Sequence, residues 1–158
     1  MKRLIGVLCV TALLGACSST PVPMLAQNVS STEQNALNAL QLQNAEEARR
    51  ALDLALDEYR RLDDLFGRWR IQSLKAKLAL GASRLGVARD LAPILKALDR
   101  QLDDRTVAYQ TNILLGRIYS DDDHFRQALT LASSRLEQAM IYAYLGEPGQ
   151  AVALVNPD

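Results

Sequence analysis

The sequence predicts an all-α fold built from stacked helical hairpins, and three observations carry that expectation. Apolar residues recur at intervals of three and four through most of the chain, glycines, prolines and acidic pairs interrupt that pattern at short spacings, and no segment alternates polar with apolar residues in the manner of a half-buried strand. The remaining architectural choice is an irregular α-helical bundle.

Folded structure is expected to begin at Ser30-x-x-Glu33 or Ser31-x-x-Gln34. Either can form a capping box, in which the serine and the acid or amide satisfy each other's backbone donors. One long helix should follow, because Leu37, Leu40, Ala48, Leu52, Ala55, Tyr59, Leu62, Phe66 and Trp69 form a single apolar stripe. Its opposite face is charged, with Glu46 and Arg50, and Asp57 and Arg61, four apart and acid first. Phe66 and Trp69, at the end of a stripe longer than its neighbours, mark an expected homodimer surface.

Gly67, Gly81 and Gly86 then predict a helix over 68–82, a turn, and a helix over 88–102, with Asp90 as a cap and Pro93 in the first turn. Val107, Ile113, Leu114, Leu115, Ile118 and Tyr119 define the next helix, which ends near Ser120. Shorter helices are expected around Phe125, Leu129 and Leu131, over 136–145, and over 151–155, with Gly146, Pro148 and Gly149 between the last two.

The amino terminus has a different character. Lys2 and Arg3 precede an apolar run over 4–14, too short for a membrane span of about 20 residues, and Leu14-Gly15-Ala16-Cys17 closes it. This arrangement resembles the lipobox signal of bacterial lipoproteins, with Gly15 where the family usually has Ala or Ser. The resemblance implies removal of residues 1–16, a diacylglyceryl thioether on Cys17, and acylation of the new amino terminus. Several acyl chains anchor stably where one binds marginally, at about 0.8 kcal/mol per buried methylene. Ser18, rather than Asp, implies sorting to the periplasmic face of the outer membrane; the inner membrane's periplasmic face and the cell surface are the alternatives. Residues 17–31, with Pro21-Val22-Pro23, read as the lipidated cysteine and a flexible tether reaching up to roughly 40 Å, and residues 32–158 as one helical domain.

Cys9 falls in the segment removed and Cys17 is consumed by lipid, so no thiol is expected for a disulfide, metal or nucleophile. Without Lys2 and Arg3 the chain would carry 16 basic and 18 acidic residues, which gives no footprint for nucleic acid or for an anionic membrane surface. Attachment to the membrane is expected through lipid alone.

In the second half, Leu115-Gly116-x-x-Tyr119 is followed nine residues on by Ala128, and Ala139-x-x-Tyr142 by Ala151 at the same distance. This echo resembles the tetratricopeptide repeat, in which a small residue admits a close helix approach, a tyrosine fills the space beside it, and a small residue on the next helix receives it. Leu145-Gly146 fits the turn between the paired helices and Pro157 resembles the closing proline. The family's tryptophan is missing, Ala132 and Val155 stand where it has a large residue, and the echoes are 23 residues apart instead of about 34. The resemblance implies a short TPR-like solenoid whose first helices line a binding surface bearing Ile113, Arg117, Leu136, Met140 and Tyr144. A flexible Met and a Tyr beside an Arg suit a peptide or extended partner segment. Leu136 and Met140 read more strongly as core than as binding surface, because apolar residues at helical spacing usually are core.

Asp121-Asp122-Asp123-His124 is the one cluster that invites a metal or general base. Successive residues point in different directions, and a helix N-terminus attracts acids by capping and by its dipole, so no metal is expected there. Ser73, Ser83, Ser133 and Ser134 lie in no nucleophile-elbow pattern, the segment over 81–86 lacks the lysine and preceding strand of a phosphate loop, and His124 is the sole imidazole. The expectation is a protein without enzymatic activity or a cofactor other than covalent lipid: an adaptor that engages an envelope protein or peptide. Its alternatives are an activator of a cell-wall enzyme and a purely structural envelope lipoprotein.

Overall fold

The computed structural model describes residues 29–155, and the signal segment, Cys17, most of the tether and Pro157 lie outside the described residues. Eight α-helices and no strands occur among them: α1 (Ser31–Gln41), α2 (Ala45–Arg61), α3 (Leu65–Gly81), α4 (Leu85–Leu102), α5 (Arg105–Tyr119), α6 (Asp122–Leu131), α7 (Arg135–Tyr144) and α8 (Pro148–Val155). They pack most extensively as the consecutive hairpins α1–α2, α3–α4, α5–α6 and α7–α8, each stacked on the next. The fold is therefore all-α and made of stacked hairpins. No helix among the described residues is long and apolar enough to cross a membrane.

The expected single helix carrying the first apolar stripe is three helices. It breaks at Leu42-Gln43-Asn44 and again at Leu62-Asp63-Asp64, where Gln43 and Asp63 take left-handed backbone angles (φ 57° and 52°). Asn44 and Asp64 then cap α2 and α3 by accepting from the backbone N–H of Glu47 at 3.2 Å and of Gly67 at 2.8 Å. A polar N-cap contributes about 1 kcal/mol, enough to offset much of the cost of a left-handed non-glycine residue. Apolar spacing survives such a three-residue turn, which is why the stripe reads as continuous. Left-handed residues recur at Gln43, Asp63, Ser83 and Asp103, at intervals of 20 positions, so the first two hairpins share one 40-residue period.

Further along, α4 begins at Leu85, three residues earlier than expected, with Arg84 at its N-cap and no side-chain cap; Asp90 lies inside the helix, and Pro93 sits in its third turn. Gly86 does not break the helix, because nothing opposes helical backbone there, and Gly67 likewise belongs to the first turn of α3.

Three apolar clusters run through the stack. Ala36, Leu52, Ala55, Leu56, Tyr59 and Ile71 join α1, α2 and α3. Trp69, Ala76, Leu95, Leu98, Val107, Leu114 and Ile118 join α3, α4 and α5, and Tyr109, Phe125, Ala128 and Ile141 join α5, α6 and α7. Helices α3 and α5 each serve two clusters, so both are apolar on more than one side, as a helix sandwiched between neighbours must be. Trp69 is buried and its indole N–H donates to Thr111 Oγ1 at 2.9 Å, tying α3 to α5. Trp69 is thus covered within the chain and Phe66 is half-buried beside it, so the end of the stripe is not left open as expected.

Candidate binding surface

The first helices of the hairpins form one layer, and three contacts establish it. Glu33 of α1 meets Arg70 of α3, Trp69 of α3 meets Thr111 of α5, and Tyr109 of α5 packs in one apolar cluster with Ile141 of α7.

At the α1 end of that layer is a buried polar cluster that sequence reasoning missed. Ser30 Oγ accepts from the Glu33 backbone N–H at 3.1 Å, so half of the expected capping box forms. The Glu33 carboxylate turns inward, is essentially unexposed, and accepts from Arg70 Nε and from the Arg70 terminal nitrogen, each at 2.5 Å, and from the Tyr59 hydroxyl at 2.6 Å. The Arg70 guanidinium also lies 5.5 Å from the ring centres of Tyr59 and Phe66. A readable signal existed: Glu33 is three residues before Ala36 and six before Ala39, on the face that those alanines bury.

Leu40, Gln43, Ala45, Leu74, Lys77 and Gly81 line an open, largely apolar cleft of about 490 Å³ where the end of α1 and the start of α2 face the second half of α3. The Lys77 side chain reaches solvent, yet desolvation of its ammonium, with repulsion from Arg117 added, holds it below the ordinary lysine value. Lys77 and Arg117 therefore bring positive charge together where α3 and α5 adjoin.

The expected binding residues fall as follows. Ile113 is half-buried against the third cluster and Arg117 is exposed. On α7, Leu136 is 72% exposed and Met140 and Tyr144 are each 42% exposed. Residues 136, 140 and 144 share one side of the helix, so Leu136 and Met140 are surface rather than core. Tyr144 stacks on Phe125 with ring centres 5.1 Å apart and planes 6° from parallel.

Among the residues expected to pack the repeats, Leu115, Gly116, Ala128 and Ala139 are buried, and Tyr142 and Ala151 are half-buried. Tyr119 departs from its expected role. It ends α5 with 42% of its surface exposed, beside Lys96 Nζ at 5.6 Å, and the ring of Phe125 covers Gly116 instead. The last residue of a helix points past the turn, whereas Phe125 enters from the paired helix directly over the glycine.

The acidic run serves as the start of α6, with Asp121 accepting from the Asp123 backbone N–H at 3.1 Å and Asp122 and Asp123 in the first turn. His124 Nε2 stands 3.8 Å from Asp121 Oδ2. Among the described residues no three His, Cys, Asp or Glu side chains come together in a way that could hold a metal ion. No family model, curated protein or solved structure matches the chain.

Proposed function

We propose that this protein is an outer-membrane lipoprotein, anchored through Cys17 on the periplasmic face, that acts as an adaptor for an envelope protein, in the manner of pilotins and envelope-assembly subunits. The observation that carries the binding role is the solvent-facing row Leu136, Met140 and Tyr144 on α7, with Ile113 and Arg117 on the neighbouring first helix α5. Apolar side chains left in water along one helix side lose about 25 cal/mol per Å² that a partner would recover on covering them. Arg117 supplies a charge that can fix the register of an extended or helical segment laid across the layer. The mechanism is tethering: a lipid anchor confines the helical layer to a surface and raises the effective concentration of whatever it engages.

Photocrosslinking in cells from Arg117 and Tyr144, with exposed Arg50 as comparison, tests the adaptor role. One dominant envelope protein captured from the first two positions and not from the third supports it, and equal or absent adducts at all three dispose of it. Metabolic labelling with palmitate tests the anchor, which requires label on the native chain and none on Cys17→Ser.

A further inference from the structure

The cleft between the end of α1, the start of α2 and the second half of α3 has two properties that together select a ligand. Its walls are hydrocarbon: Leu40, Ala45, Leu74 and Leu78 border a space of about 490 Å³, which is within the range of small-molecule sites. Gly81 lies at its edge without filling it, since a Cβ added there would meet nothing within 4 Å. Gln43 and Lys77 supply the polar side chains of the lining. The turn amides beside them, on Gln43, Asn44, Ala82 and Ser83, are already spent on the carbonyls of Leu40, Ala39, Leu78 and Leu80. The second property is charge. Lys77 stands three positions after Leu74 and four before Gly81, on the face of α3 that borders the cleft. Arg49, Arg60, Arg70 and Lys75 are each ion-paired with an acid of this chain, whereas among the described residues neither Lys77 nor Arg117 is in an ion pair. Helix α5 packs against α3, and Arg117 adds its charge at Lys77. An unneutralised positive charge thus borders hydrocarbon walls.

We propose that this cleft binds a single-chain fatty carboxylate, with its hydrocarbon chain along Leu40, Leu74 and Leu78 and its carboxylate on Lys77. The carboxylate supplies the counter-charge that Lys77 and Arg117 lack within the chain, and the Gln43 side-chain amide is a second donor for it. An extended peptide would bring two backbone polar groups per residue to walls that offer them almost no partner. A fatty carboxylate brings one polar head and otherwise only hydrocarbon, which matches the lining group for group. The site is on α1, α2 and α3, apart from the row on α7, and does not rest on the adaptor reading: absence of crosslinks from Tyr144 would leave it intact.

The test is calorimetric titration of the full chain with sodium dodecanoate, kept below the concentration at which it associates with itself. One dodecanoate should bind per chain. Octanoate, four methylenes shorter, should bind on the order of a hundredfold more weakly, at up to about fourfold per buried methylene. Lys77→Gln should weaken dodecanoate about tenfold, the usual size of a hydrogen bond to a charged group, and uncharged dodecanol should bind the native chain about as weakly as dodecanoate binds that variant. Gly81→Leu, whose side chain has open space to enter, should abolish binding. Helical circular dichroism should be unchanged in both variants. Absence of dodecanoate binding, which would leave the cleft to a protein segment, would overturn the proposal. Equal affinity for dodecanol and dodecanoate, or an affinity unaltered by Gly81→Leu, which would put the chain elsewhere on the surface, would do the same.

Discussion

Glu33 and Arg70 are 37 positions apart, yet they meet in a two-pronged ion pair, both hydrogen bonds 2.5 Å long, that locks the first helix to the third. Tyr59, from the second helix, donates to the same carboxylate, so one acid holds three helices in register. The Glu33 side chain is 2% exposed and the Arg70 side chain 22%. Breaking a fully buried pair typically costs 3–5 kcal/mol, and the residual solvent at Arg70 reduces that to about 2–3 kcal/mol. Glu33→Gln should lower the urea midpoint accordingly, whereas Glu33→Gln with Arg70→Met should recover part of the loss. An unchanged midpoint in the single variant would show that the pair contributes nothing.

Two glycines are sites of close helix approach. A Cβ on Gly67 would enter the Tyr59 ring, and one on Gly116 would fall 2.7 Å from Phe125. Gly67→Ala and Gly116→Ala should each cost about 1–3 kcal/mol through overpacking. Gly86→Ala, where nothing lies within 4 Å inside α4, should stabilise by about 0.5–1 kcal/mol from helix propensity alone. Thermal melts of the three variants check this, and a stabilised Gly67→Ala would refute the packing account.

The buried tyrosines should make stability fall at high pH. Burial first, then the hydrogen bond to Glu33, raises the Tyr59 phenol above its ordinary 10.0. Burial raises Tyr109, with Glu137 and Tyr144 adding to it. Because the folded state holds these protons more tightly than the unfolded chain, their contribution is complete below the unfolded value and is lost as pH rises above about 10. Tyr59→Phe should flatten part of that decline and cost about 1–2 kcal/mol at neutral pH. Tyr109→Phe, which removes a buried hydroxyl lacking a partner, should be neutral or stabilising by up to about 1 kcal/mol. Denaturant titrations from pH 7 to 11 separate the two.

The start of α7 predicts an acid-sensitive element. Ser134 Oγ accepts from the Glu137 backbone N–H at 3.2 Å, while Glu137 Oε2 accepts from the backbone N–H groups of Ser133 and Ser134 and from the Ser133 hydroxyl. The Ser133 hydroxyl and backbone bonds, followed by those from Ser134, hold the Glu137 carboxyl below its ordinary value. That stabilisation is present above the unfolded-state carboxyl value of about 4.3 and is lost as pH falls through the lower folded one. Ser134→Ala should cost about 1 kcal/mol at pH 7 and leave a shallower acid limb. Equal acid limbs in variant and parent would contradict it.

The helical segments were legible because their determinants are local. Apolar residues at spacings of three and four, and capping residues such as Asp104 and Asp121, which cap α5 and α6 through their own side chains, act within a few positions of where they stand. Arg117 and Tyr144 could likewise be nominated from spacing. Three features were decided in large part by tertiary structure. The breaks at Gln43 and Asp63 depend on packing that rewards a hairpin over one continuous helix, and a three-residue turn leaves the apolar spacing almost unaltered. Burial of Glu33 depends on a guanidinium 37 positions away, and a carboxylate otherwise belongs in water. The exchange of roles between Tyr119 and Phe125 follows from which ring the paired helix brings over Gly116. The sequence by itself determined that the chain folds into helices, because hydrogen bonding and capping are short-range, but not where the first apolar stripe breaks. The tertiary structure decided which side chains they hide, because burial is settled by partners distant along the chain.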